Sequence, residues 1–388
     1  ARLNPDLTRG PDSRWLNPPT RAVRTLTLKQ LLHFDVGRIK PGKYEAEALF
    51  DSDGVDLDRP VRLKVKVAVG GGDMTIEAAG AVLLGALNLS GGASAQVYFG
   101  ARGGDLTVNA GGSVALIGPI QASAPSAPIM SVFSVGGTID IQAALNITIQ
   151  NSIVAVSGAQ SHGGVIRIQS AGSITMAGSS VLDVSGEGED SSGGTIELNA
   201  DGAILIQGTI AATGGPSTYT AGGDVLVHSE TSVMVAGTIS VNGQATGHLR
   251  LEAMDGVLDV SGVLSAECAG DHGMAGEIHM DAGNITISGS TIADAMGHDS
   301  HAGHVNVDGL ATVTIAPGAM LSAQGHGGGC VDLTSHTVNV AAGAAINTDG
   351  VDQGGCICLV ASGVIQIDGT LHALLGTVEL TTGLEPAF

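Results

Sequence analysis

The chain has 388 residues, 43 % of them hydrophobic but only 2 % aromatic, with 60 Gly and a formal net charge of −21. So few rings argue against an ordinary globular enzyme core and leave Ile, Val, Leu and Ala to build the interior in flat layers. The acidic balance argues against nucleic acid as a partner, and no apolar run is long enough to form a membrane span.

The first 70 residues differ from the rest. They hold 13 of the 16 Lys and Arg against 9 acidic residues, a balance of +4, whereas residues 71–388 hold 3 basic against 28 acidic, a balance of −25. Residues 1–24 read as an extended Pro-rich arm that carries Trp15, Arg21 and Arg24. Residues 25–70 read as a small basic β cap, with a strand from Val61 to Val69 whose Lys64 and Lys66 face outward. Within the cap, Asp51, Asp53, Asp56 and Asp58 surround Gly54 in a run that resembles a calcium loop, because hard cations take several oxygens around a tight turn. The order is not that of an EF-hand, since Leu49 falls where the first Asp belongs, so calcium stands beside a solvated acidic turn as the two readings. A chain opening at Ala1 reads as a mature product whose signal peptide has been removed.

From residue 71 a pattern returns twelve times: Gly, two alternating strands, Gly, a third short strand, then a polar loop. It is clearest in Gly194-Thr195-Ile196-Glu197-Leu198 followed by Ile204-Leu205-Ile206 and Thr209-Ile210-Ala211. The Gly before each first strand runs from Gly72 to Gly376 at spacings of 21 to 33 residues, about 28 on average, which is the range of a solenoid repeat. Residues at i and i+2 of a strand share a face. Pairs such as Ile166/Ile168, Ile196/Leu198, Val225/Val227 and Val378/Leu380 therefore predict one internal aliphatic column. One coil cannot bury its apolar face alone, but stacked coils can. The fold expected is an all-β, right-handed parallel β-helix of about 12 coils with three short strands each, the handedness following from the crossover rule.

The repeat of Gly163 to Gly186 and Gly193 to Gly214 resembles those of filamentous-haemagglutinin-type adhesins and large bacterial exoproteins, over roughly residues 70–383. That resemblance implies a secreted, surface-displayed protein that adheres or forms fibres. It departs at the N-terminus, where only Leu3-Asn4-Pro5-Asp6 and Leu16-Asn17-Pro18-Pro19 approach the motifs of the family's secretion domain.

Four groups of residues could carry chemistry. Asp140, Arg167 and Glu197 fall at equivalent places on successive coils, where pectate-lyase-like enzymes of this architecture place acidic ligands and a basic residue; a solvated charge ladder is the alternative. Cys330 and Cys356 follow the anchor Gly of adjacent coils and should stack at about 4.8 Å, within reach of a disulfide. With His304 one coil below and Cys358 two residues on, they also form a candidate transition-metal set, since Cys and His ligate zinc. None of the four Cys makes CxxC or CxxCH, which removes zinc-ribbon and c-haem readings. Finally, His272, His298 and His326 precede successive anchors, with Asp271, Asp294 and Asp299 nearby, as either a weak divalent-metal stripe or solvated loop residues.

No Walker loop, GxSxG or HExxH is present, and no catalytic residue is assigned. The function expected is a structural subunit of an extracellular fibre or surface layer, polymerising with itself through the basic head (Trp15, Arg21, Arg24, Lys64, Lys66) and a last coil ending at Phe388. The alternatives are an adhesin for a cell-surface glycan and a polysaccharide-processing enzyme.

Overall fold

The computed structural model describes residues 71–91, 102–124, 134–158, 161–217 and 220–383, together with the backbone of four strands nearer the N-terminus, Ala22–Thr25, His33–Asp35, Gly42–Leu49 and Val61–Ala68. Trp15, Arg21, Asp51, Asp53, Asp56, Asp58 and Phe388 lie outside them.

The chain is an all-β solenoid of parallel strands, with about nine turns stacked between the rungs at Thr138–Ala143 and Thr377–Thr382. Equivalent residues stand directly above one another: Ile139, Ile166, Ile196, Val225 and Leu249 are successive register partners. All five are buried, as are Ile141, Ile168, Leu198, Val227 and Leu251 one pleat further along. The second strands add Ile147/Ile149, Ile174/Met176 and Ile204/Ile206, and the third strands add Ile153, Leu182, Ile210 and Ile239. Aliphatic side chains suit this interior because each must pack flat against its own equivalent above and below.

The anchor glycines are set by close approach rather than by a left-handed backbone. A Cβ added at Gly223 would lie 2.1 Å from the carbonyl oxygen of Gly194, so any side chain there would push the coils apart.

Three short strands per coil hold only for the earlier turns. There the first corner is a turn after a small residue, as at Ser229, whose buried Oγ donates to the Gly202 carbonyl and accepts from the amides of Thr231 and Ser232. From His248–Val260 onward the first and second strands fuse into single strands of 11 to 13 residues, including Glu277–Ile287, His304–Ile315, Cys330–Val340 and Cys356–Ile367. Their register shifts at the corner, between Ala253 and Val257 and again between Asp308 and Thr312, so the spare residues leave the ladder as a bulge that bends the strand without ending it.

The N-terminal strands extend the same sheets. Val61–Ala68 lies antiparallel between Gly42–Leu49 and Gly71–Ala78, with Lys64 opposite Glu45 on one side and Thr75 on the other. Ala22–Thr25 then pairs parallel with Gly42–Leu49, and His33–Asp35 pairs parallel with Ala86–Asn88. The strand bearing Lys64 and Lys66 is thus hydrogen-bonded on both edges. Among the described strands the outermost is the one that carries Arg24, and the one that carries Lys64 and Lys66 lies two strands in from it.

Candidate functional site

Because the repeats stack in register, side chains far apart in sequence meet in outward columns. Along the first strands one column runs His248, Glu277, His304, Cys330, Cys356, Thr377, and the next runs Arg250, His279, Asn306, Asp332, Cys358, Glu379. Cys330 and Cys356 are joined in a disulfide with a Cα separation of 4.6 Å. His304 Nε2 lies 2.7 Å from Asp332 Oδ2, across one turn and into the neighbouring column. The other carboxylate oxygen, Oδ1, is buried without a nitrogen or oxygen donor.

Cys358 sits above Asp332 in register. Its thiol is held above its ordinary pKa, first by burial, then by hydrogen bonding to Asp332 and by the charges of Asp332 and Glu379. Asp332, Cys356 and Cys358 converge closely enough to share an ion, but the Cys356 sulfur is already taken by the disulfide and His304 stands outside the group. The set of His304, Cys330, Cys356 and Cys358 suggested by sequence is therefore not assembled as a thiolate centre. A fused strand now carries both Cys356 and Cys358.

The expected ladder of Asp140, Arg167 and Glu197 is in register but not convergent. Arg167 Nε pairs with Glu197 Oε2 at 3.0 Å, while Asp140 is approached by the Gln142 amide. An exposed pair of this kind contributes little to stability. Beside it an open groove follows the first corner of the early turns, lined by Glu77, Asn109, Gln142, Gln169 and Asp201. Its two acids and the three amides Asn109, Gln142 and Gln169 line it with hydrogen-bonding groups.

The third corner brings together the loop histidines. Gly270-Asp271-His272 and Gly297-His298-Asp299 repeat one loop shape, whose last residue has a left-handed backbone: φ is 57° at His272 and 53° at Asp299. Asp and His tolerate that region better than most residues. In the second loop Ser300, buried, donates from Oγ to the Gly297 carbonyl at 2.6 Å and closes the turn. Adjacent loops are tied by main chain, His272 N to His298 O at 2.8 Å, and by the Asp271 carboxylate accepting from His298 N at 2.8 Å.

So held, the rings of His298 and His326 lie 4.9 Å apart. Asp299 reaches both, with Oδ2 3.1 Å from His298 Nδ1 and Oδ1 3.6 Å from His326 Nδ1. His272 Nδ1 is 3.8 Å from Asp299 Oδ2, and Asp352 Oδ2 is 3.4 Å from His326 Nδ1. Asp294 does not join them. Its Oδ1 accepts from Ser322 Oγ and Gln324 N, both at 2.7 Å, and burial raises its pKa. Asp352 escaped the sequence reading. It lies in the strand Gly350–Gln353, which pairs with the Gly325–Gly327 strand holding His326, so comparing the two pre-anchor loops would have found it.

No family model matches the chain, and no curated protein or solved structure shows significant similarity to it.

Proposed function

We propose that the chain is a structural subunit of an extracellular fibre or surface layer, polymerising with itself head to tail by continuing its own β-ladders. The observation that carries this reading is the direction of the strands at the two extremes of the stack. Ala22–Thr25 is parallel to Gly42–Leu49, which is antiparallel to Val61–Ala68, which is antiparallel to Gly71–Ala78. The outermost strand of the head therefore runs the same way as Thr377–Thr382, the last described rung. The third-strand sheet behaves alike, with His33–Asp35 at one extreme and Thr370–His372 at the other, both parallel to their neighbours. One copy stacked on another prolongs both sheets with unchanged strand direction.

The last described rung is suited to receive such a partner. Val378 and Leu380 stand in register above Ile357 and Leu359, which are fully buried, yet they are 46 % and 52 % exposed. Among the described residues no strand pairs with its outer edge, and such a rung of apolar side chains is a template for a further strand. The contact is heterologous, so it generates a filament rather than a closed dimer, and the basic head meeting the acidic body sets its polarity. The Cys330–Cys356 bridge accords with an exported, oxidising location. No catalysis is part of this reading.

Electron microscopy of the purified 388-residue chain tests it. The expected result is filaments with an axial repeat of about 70 Å, the depth of the strand ladder at about 4.8 Å per strand. Val378→Lys with Leu380→Lys, at half-exposed positions, should leave the fold intact and abolish the filaments, as should deletion of residues 1–24. Monomers of the unaltered chain at high concentration, or filaments of the same repeat from both variants, would overturn the proposal.

A further inference from the structure

We infer that His298, Asp299 and His326 form a binding site for one divalent first-row transition ion, of the zinc class, at the third corner of the solenoid. One ligand atom from each, His Nδ1 or Nε2 and a carboxylate oxygen, lies within 4.8 Å of the other two. A zinc ion bonds imidazole nitrogen and carboxylate oxygen at about 2.0–2.2 Å, so tetrahedral ligands sit about 3.3 Å from one another. Each imidazole faces its own oxygen of the Asp299 carboxylate, His298 Nδ1 at 3.1 Å from Oδ2 and His326 Nδ1 at 3.6 Å from Oδ1, so both rings approach one carboxylate at close to ligand spacing. The three residues come from adjacent coils, so the rise of one coil sets the spacing of the two rings.

The chemistry of the donors selects the class of ion. Two imidazoles favour zinc, copper, nickel or cobalt, whereas calcium and magnesium take oxygen ligands in greater number. Three protein ligands leave a fourth position for water. The surroundings favour a cation, because no Lys or Arg follows Arg250 in the chain, and Asp271 and Asp352 add negative charge on either side.

His298 and Asp299 are exposed on a loop and His326 is partly exposed on the short strand Gly325–Gly327, so all three can be replaced without entering the core. Asp299→Asn suits the left-handed position and removes the charge while keeping the shape. Competition between the full chain and a chromophoric chelator for Zn²⁺ is the test, with circular dichroism confirming the fold of each variant. One tightly held Zn²⁺ per chain is expected. His298→Ala, His326→Ala and Asp299→Asn should each weaken it at least tenfold, while His336→Ala, whose imidazole instead pairs with Ser362 Oγ, leaves it unchanged. Substituted Co²⁺ should show no thiolate charge-transfer band. Failure to take Zn²⁺ from the chelator, binding indifferent to those three substitutions, or a thiolate band pointing to Cys358 would each overturn the assignment.

Discussion

Thr291 stacks directly on Leu264 in the ladder of third strands, fully buried, and its Oγ1 has no hydrogen-bond partner. The next rung places Leu321 on its other side, so a hydroxyl interrupts a column that is otherwise aliphatic. An unsatisfied buried hydroxyl costs about 1–3 kcal/mol. Thr291→Val keeps the shape and removes the penalty, so it should stabilise the surrounding turns by about 1 kcal/mol. Repeat arrays need not unfold in one step, so the measurement is hydrogen exchange of amides between residues 285 and 321, which should slow. Faster exchange would mean that the hydroxyl has a partner.

Asp294 makes stability depend on pH. Burial raises its pKa, and the charge of Glu267 adds to the rise, while the hydrogen bonds from Gln324 and Ser322 oppose it. A carboxyl whose pKa is higher folded than unfolded favours the fold fully below its unfolded pKa and loses that contribution as pH rises through the folded one. Asp294→Asn keeps an acceptor for both hydrogen bonds and has no charge to bury. It should raise the denaturation midpoint at neutral pH and give little or no gain in acid; an equal gain at both would show that the buried charge is not the cause.

The two free cysteines should resist alkylation. The pKa values of Cys268 and Cys358 are both raised, chiefly by burial, and the thiolate is the reactive form. Peptide mapping without reduction should recover Cys330 linked to Cys356. Iodoacetamide should label Cys358 slowly at neutral pH and faster as pH rises. Asp332→Asn removes the charge contribution that raises the Cys358 thiol while keeping a hydrogen-bond acceptor, so labelling at a given pH should accelerate; an unchanged rate would show that the Asp332 charge does not hold the thiol up.

Much of this architecture was legible because a solenoid repeats one local rule. Ile166, Ile196 and Val225 announce a shared face by their alternation, and Gly194 and Gly223 recur at a constant place before it. Once coils stack in register, the same offset in two repeats means the same height on one column, which is why Cys330 and Cys356 could be paired on paper. The arithmetic fails where spacing changes. Nothing in the alternation from His248 to Val260 marks two strands fused through a bulge, because a bulge is decided by which backbone groups the neighbouring coil leaves to pair with.

Side-chain encounters between columns depend on rotamers and local backbone, and so belonged to the tertiary structure. His304 meets Asp332 diagonally rather than joining the cysteines, and Asp299 reaches both His298 in its own loop and His326 on the next coil. Whether Lys64 lay on an open or a covered strand depended likewise on an antiparallel reversal in the head that no repeat encodes. By itself the sequence determined the coil, its aliphatic interior and the height of each residue along the stack, since these follow from a two-residue alternation and a constant repeat. Only the tertiary structure decided which outward groups touch, because contact across columns depends on side-chain direction and corner geometry rather than on spacing along the chain.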